Sequence, residues 1–256
     1  MKKSIEEIKI VEGKKIFCFH DIEGIELLMT SSDSMSAEIS DEEKSKELQA
    51  LYRHFQIEKS KVYAGYQVHS DNIAVVDSDL MSSDAFYGYE YPCTDGLITD
   101  REGIYLITKF ADCTPVVLYE PKKRILANLH SGWRSTQQKI VPKAIEKMIH
   151  HYGAEPKEMF VFIGPAIAKD NFEVQDDLIK EFNRSHGDIS AYLTKKENGR
   201  YLFDMRSLLL DDLLSYGIEP SNIFSSDLDS YSNPRLHSYR RDGKKSGRML
   251  LFAVMK

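Results

Sequence analysis

The sequence predicts a mixed α/β protein of the α+β kind, with mixed β-sheets flanked by helices, in a single domain spanning residues 1–256. Three observations carry this. Short runs rich in β-branched and aromatic residues recur along the chain, between helix-like stretches, without the regular β-α-β-α alternation of a doubly wound sheet. Residues 104–130 hold three such runs with only short connections, which suits antiparallel or mixed pairing. No linker-like tract and no internal repeat divides the chain, and its 256 residues are enough to bury a sizeable core.

The predicted strands are KIFCFH (15–20), KVYAGYQVH (61–69), NIAVVD (72–77), GIYLITKFA (103–111), PVVLYE (115–120), RILANLH (124–130), MFVFIG (159–164) and RMLLFAVM (248–255). PVVLYE and MFVFIG are nearly continuous apolar runs, as in strands buried on both faces. Helices are predicted over 40–55, 137–153, 175–187 and 206–217. The first opens on Ser40 followed by acidic residues, which favour a helix N-terminus. The other three end in glycine, a common helix stop. Pro142 fits the first turn of the second helix, where its missing N–H costs nothing. Asn198-Gly199, between two short apolar runs, signals a hairpin turn.

The net charge of −6 argues against a general nucleic-acid binder, which carries a basic face. It leaves room for a small anion held by a few arginines. Three cysteines, Cys18, Cys93 and Cys113, give no disulfide framework. The lysines of the first residues precede no apolar run, and no stretch approaches the roughly 20 apolar residues of a membrane span. A cytoplasmic protein with no membrane and no nucleic-acid partner is expected. There, a cysteine serves the core, a metal or catalysis.

Four clusters carry chemistry: Gln67-x-His69, Ala111-Asp112-Cys113, His130-Ser131-Gly132-Trp133-Arg134, and HSYRRDGKKSGR with Tyr239, Arg240, Arg241, Asp242 and Arg248. Taken singly each has a bland reading. Cys113 alone is more often a small buried hydrophobe, Asp112 a turn cap, and Arg240-Arg241 a solvated edge. Jointly, one thiolate and two imidazoles make a zinc shell with a fourth position left open. The same residues also suit a nucleophile and base, with His130 activating Cys113 and Gln67 or the backbone serving an oxyanion. Cys113 precedes the strand 115–120 and His130 ends the strand 124–130. Antiparallel pairing of the two brings these residues together, and His69, ending its own strand, reaches the same place.

The blocks QVH, ADCTPVVLY, LHSGWRS, IGPAI…FEV and HSYRRDGKKSGR, in that order, resemble the bacterial laccase-domain family. Its members were first described as multicopper polyphenol oxidases and later as purine nucleoside phosphorylases with adenosine deaminase activity. The resemblance runs from about residue 60 to the C-terminus. It implies that His69, Cys113 and His130 are the metal ligands and catalytic centre, usually occupied by zinc, with copper as the family's older description. It implies mixed sheets and helices in α/β/β/α layers, an arrangement shared with certain cysteine hydrolases. Gln67, Arg134, Tyr239, Arg240 and Arg241 are the expected substrate contacts.

The expected activity is zinc-dependent phosphorolysis of purine nucleosides, with phosphate as co-substrate, together with adenosine deamination. Adenosine and inosine are the expected substrates, with methylthioadenosine as a further candidate. The alternatives are a cysteine amidohydrolase built on Cys113 and His130, a metal-binding module without activity, and a polyphenol oxidase. One Cys/His₂ set suits zinc hydrolytic chemistry better than multicopper oxidation, which needs several centres. The chain departs from the family pattern at Ser70 and Ser135, where glycine is usual, and at Asp229-Ser230, near a usual Cys-Thr.

Overall fold

The computed structural model describes residues 1–76, 83–84 and 86–256. Two large sheets lie face to face. Among the described residues, the first orders its strands Lys2–Lys3, Ile223–Ser225, Phe160–Ile163, Thr114–Glu120, Ile125–Ser131, Gly96–Thr99 and Ile73–Val75. The second orders Glu6–Val11, Lys14–Phe19, Ile25–Thr30, Met249–Met255, Tyr105–Phe110, Val62–Gly65, Tyr89–Tyr91 and Ser83–Asp84. Both are mixed: among the described residues the first has three parallel and three antiparallel pairings, and the second is mostly antiparallel, with Val62–Gly65 parallel to both Tyr105–Phe110 and Tyr89–Tyr91.

The core between the sheets holds Phe17, Phe19, Val117, Tyr119, Phe162 and Leu251. The outer face of the first sheet packs on helices Ile140–Tyr152 and Met205–Ser215 through Ile98, Val116, Ile145, Met148 and Leu209. The outer face of the second packs on helix Asp41–Phe55 through Ile16, Leu48, Leu51 and Phe252. These are the expected α/β/β/α layers. A polar clasp joins the sheets. Asn128, 1% exposed, donates from Nδ2 to the Leu106 and Leu251 carbonyls at 2.8 and 3.1 Å and accepts from the Thr108 hydroxyl at 3.1 Å.

Local sequence explains most boundaries. Ser40 accepts from the Glu43 amide while the Glu43 carboxylate accepts from the Ser40 amide, a reciprocal cap that starts the helix there. Pro142 is the third residue of its helix. The hairpin Leu193–Lys195 with Tyr201–Phe203 turns through Asn198-Gly199, with Gly199 at φ +80°.

Several expectations need correction. The predicted helix 137–153 starts later, at Ile140, and ends at Tyr152 before Gly153; Gln137 instead closes a separate short helix, Trp133–Gln137, and Lys139 at φ +64° divides the two. The strand predicted over 61–69 stops at Gly65, where the chain runs so close to Thr94 that a Cβ would sit 2.1 Å from its carbonyl oxygen. Residue 77 of the predicted strand 72–77 lies outside the described residues; Ile73–Val75 is strand. Of the three runs of 104–130, Tyr105–Phe110 belongs to the second sheet and the next two pair antiparallel in the first, in keeping with the expected antiparallel or mixed pairing.

Candidate metal centre

Because the chain crosses from one sheet to the other at Ala111-Asp112-Cys113, Cys113 stands at the ends of both sheets rather than within either. Asp112 makes the corner with φ +82°. The next strand pairs with Ile125–Ser131 in the register Thr114↔Ser131 and Pro115↔His130, which sets Cys113 beside His130, as the hairpin argument expected. His69 arrives differently from expectation. It sits in the loop after Gly65, at φ +62°, and its ring lies 4.9 Å from that of His130, centroid to centroid, inclined at 67°.

One ligand atom from each of His69, Cys113 and His130 lies within 4.8 Å of the others. Gly132, two residues after His130, makes this approach possible. A Cβ on Gly132 would lie 2.8 Å from Cys113 Sγ and 2.9 Å from His69 Cδ2. The donor set is one soft sulfur and two imidazoles, all within 4.8 Å of one another, a set able to close on the ~3.5 Å between ligand atoms around a tetrahedral zinc ion. The three residues therefore fit a single metal ion of that class.

Asp95 underlies the cluster. It is buried, and Oδ1 accepts from His130 Nδ1 and the His69 amide, both at 2.9 Å. Oδ2 accepts from the Val68 amide at 3.1 Å and from the Ser70 amide and hydroxyl, both at 2.8 Å. Burial pushes the Asp95 carboxyl up, but hydrogen bonds from His130, Ser70 and Val68 outweigh it and hold it at about 2. In the metal-free protein burial likewise pushes the Cys113 thiol up, and the His130 and His69 imidazoles reverse this, to about 6. Burial disfavours a charged His130, while the Cys113 sulfur and the Asp95 carboxylate outweigh it and raise it to about 9.

The cluster lies at the wall of a cavity of about 730 Å³. Aromatic walls come from Tyr66, Trp133, Phe172 and Tyr239, and cations from Lys109, Arg134, Arg240 and Arg248. The predicted contacts divide. Gln67 lines the cavity, but its amide is engaged at both ends by the backbone of Lys109, at 2.7 and 2.8 Å. The Arg134 guanidinium stacks on Trp133 at 4.1 Å, and none of the described residues supplies an acceptor for it. Arg240 lies over Phe172 and bonds through Nη1 to the Asn171 and Glu173 carbonyls. Its amide donates to Asp112, whose other oxygen accepts from Ser230. Arg241 is not at the cavity. Its guanidinium bonds the Ser230, Tyr231, Asn233 and Leu236 carbonyls and pairs with Asp242, so it braces a loop.

Sequence reasoning did not find Asp95, Lys109 or Phe172. The one available signal for Asp95 was a Thr-Asp-Gly among hydrophobic residues, which reads as a turn. Ser70 and Ser230, noted as departures from the family pattern, each hold a carboxylate of the site.

The profile of the family described as "Multi-copper polyphenol oxidoreductase laccase" matches residues 23–256. The chain belongs to this family. The match in this laccase-like family begins well before residue 60, so it takes in the strand Ile25–Thr30 and the helix Asp41–Phe55, which the motifs alone had left outside. Among relatives, the purine nucleoside phosphorylase YlmD of Bacillus subtilis (strain 168) is 30% identical over 195 residues, 74% of this chain and 69% of the relative. A protein of an unknown prokaryotic organism named adenosine deaminase RL5 is 30% identical over 190 residues, 71% of this chain and 70% of its own. The crystal structure of the hypothetical protein YfiH of Bacillus licheniformis superposes with a TM-score of 0.86, covering 94% of this chain and 96% of that one at 23% identity. Among the described residues no helix is long and apolar enough to cross a membrane. Of groups able to hold a metal, the described residues of this laccase-family chain offer the one cluster, His69, Cys113 and His130.

Proposed function

We propose that the protein is a zinc-dependent purine nucleoside phosphorylase with adenosine deaminase activity. The observation that carries this is the meeting of His69, Cys113 and His130 at the wall of a cavity that also holds flat aromatic faces and unneutralised arginines. Relatives named for both activities support it. A zinc ion held by the three residues supplies Lewis acidity and lowers the pKa of bound water from about 15.7 to about 7.

The chain's own groups do the rest. The rings of Trp133, Phe172 and Tyr239 offer apolar faces against which a planar purine packs. Arg134 presents a guanidinium whose fork matches two phosphate oxygens, and Arg240 brings a second cation into the same cavity. Phosphorolysis moves the ribosyl C1′ from the base nitrogen, which takes up a proton and leaves as the free purine, to a phosphate oxygen, and deamination replaces the 6-amino group by water's oxygen with release of ammonia. The first needs a bound dianion and the second does not.

A second reading rests on one contact. Asp95 accepts from His130 Nδ1, and His130 faces the Cys113 thiol, so nucleophile, base and orienting carboxylate stand in line as in a cysteine hydrolase. Product analysis of purified, metal-quantified protein separates the two. Adenosine giving inosine without phosphate, and hypoxanthine with ribose 1-phosphate once phosphate is added, supports the nucleoside reading. Turnover of amide substrates alone supports the other.

A further inference from the structure

We infer that Asp95 is the positioning residue of the cluster. One buried carboxylate fixes the His130 ring and the turn that carries His69, and so turns both imidazoles toward Cys113. The inference rests on the metal reading of the site.

Every donor to Asp95 belongs to one of the two histidines or to the turn around them. The His130 amide donates to the Asp95 carbonyl at 2.8 Å, and the His130 ring to its carboxylate at 2.9 Å. His130 is thus held by backbone and side chain of the same residue. The other three amides come from Val68, His69 and Ser70 in succession. This loop has left its strand at Gly65, so these N–H groups have no ladder partner, and His69 takes a left-handed φ of +62°. Consecutive amides closing on one point form a nest that calls for an anion. Here the chain supplies the anion itself. Asp95 is fixed in turn, since its own amide donates to the Asn72 carbonyl at 3.0 Å on the far side of the loop.

The charge is needed as well as the shape. An ionised carboxylate only accepts, so the contact keeps a proton on Nδ1 of His130 and leaves Nε2 for the cluster. Asparagine has the same outline but presents an NH₂ on one side. That side would face either the Val68 and Ser70 amides or the His69 amide and the His130 ring, all of them donors. Asp95→Asn therefore breaks either the Val68 and Ser70 amide contacts that hold the turn carrying His69, or the His69 amide and His130 ring contacts together. Asp95 does not line the cavity and is 0% exposed at its side chain, so it acts only through the ligands.

Two measurements test this. The first uses the wild-type chain, and records histidine ¹⁵N–¹H NMR for His130 with and without zinc. A slowly exchanging proton on Nδ1 in both states is expected; an unprotonated Nδ1 overturns the inference. The second measures zinc affinity by competition with a chromophoric chelator, alongside the melting temperature of the metal-free protein. Asp95→Asn should bind zinc roughly 10–100-fold more weakly, while Ser70→Ala, which leaves the other donors in place, should lose less than about threefold. An Asp95→Asn protein that folds and binds zinc within about threefold of wild type also overturns it. If that variant does not fold, the NMR result decides. If the wild type binds no zinc, the metal reading of the site fails, and the Nδ1 proton of the metal-free protein still decides whether Asp95 holds His130.

Discussion

Gly132 lies against Cys113 with no room for a side chain: a Cβ there would sit 2.8 Å from the sulfur. Its backbone, at φ −75° and ψ 171°, is one that any residue adopts, so glycine is required by contact and not by conformation. Gly132→Ala should fold and yet bind zinc roughly ten- to hundredfold more weakly, because overpacking costs about 1–3 kcal/mol. Zinc per chain after dialysis against a chelator reads this, and wild-type occupancy in the variant would remove the steric argument.

The arginines should separate. Arg134→Ala and Arg240→Ala each lose a charge facing the cavity, and a charge-assisted hydrogen bond is worth about 1.5–3 kcal/mol. The KM for phosphate in inosine phosphorolysis should rise about tenfold or more, with adenosine deamination less affected. Arg241→Ala should leave that KM near wild type and lower the melting temperature, because its contacts are with loop carbonyls. Equal loss of both reactions in all three variants would refute the phosphate assignment.

Alkylation has a defined pH dependence. In the metal-free protein Cys113 titrates at about 6, below its usual 9.0, and His130 at about 9, above its usual 6.5. The lowered thiol contributes stability above its unfolded value, lost as pH falls through about 6; the raised imidazole contributes below its unfolded value, lost as pH rises through about 9. Between these limits the pair is thiolate and imidazolium. Iodoacetamide labelling of Cys113 after chelation should therefore rise with a midpoint near pH 6, and zinc should suppress it. Fast labelling of the metal-loaded protein, unchanged by chelator, would favour the cysteine-hydrolase reading.

Asn128 should matter to stability alone. Asn128→Leu removes the clasp between the sheets and leaves the Thr108 hydroxyl unpartnered, at a cost of about 1–3 kcal/mol. Adding Thr108→Val to that variant should cost little more, since the hydroxyl left unpartnered by the first change is then gone. Urea denaturation of the single and double variants checks this.

Sequence and structure agree where local chemistry decides. The cap at Ser40, the hairpin at Asn198-Gly199 and the pairing that joins Cys113 to His130 were all legible, because each depends on neighbours in the chain or on two adjacent strands. The strands Glu6–Val11 and Gly96–Thr99 were not. The first is rich in charge because it is a sheet edge, and the second is too short to show a period. Asp95 was invisible for a different reason. Its meaning comes from donors that are distant in sequence and from a loop whose amides have no other acceptor. Arg241 was misplaced because an Arg-Arg pair does not reveal which guanidinium faces the cavity and which turns back to the chain.

The central claim is that His69, Cys113 and His130 hold one metal ion on which nucleoside turnover depends. The most direct test is to strip the protein of metal and titrate zinc back while following inosine phosphorolysis. Activity that rises in proportion to zinc and levels off at about one equivalent per chain is the predicted result. Full turnover by the stripped protein, or none at one bound equivalent, would contradict it.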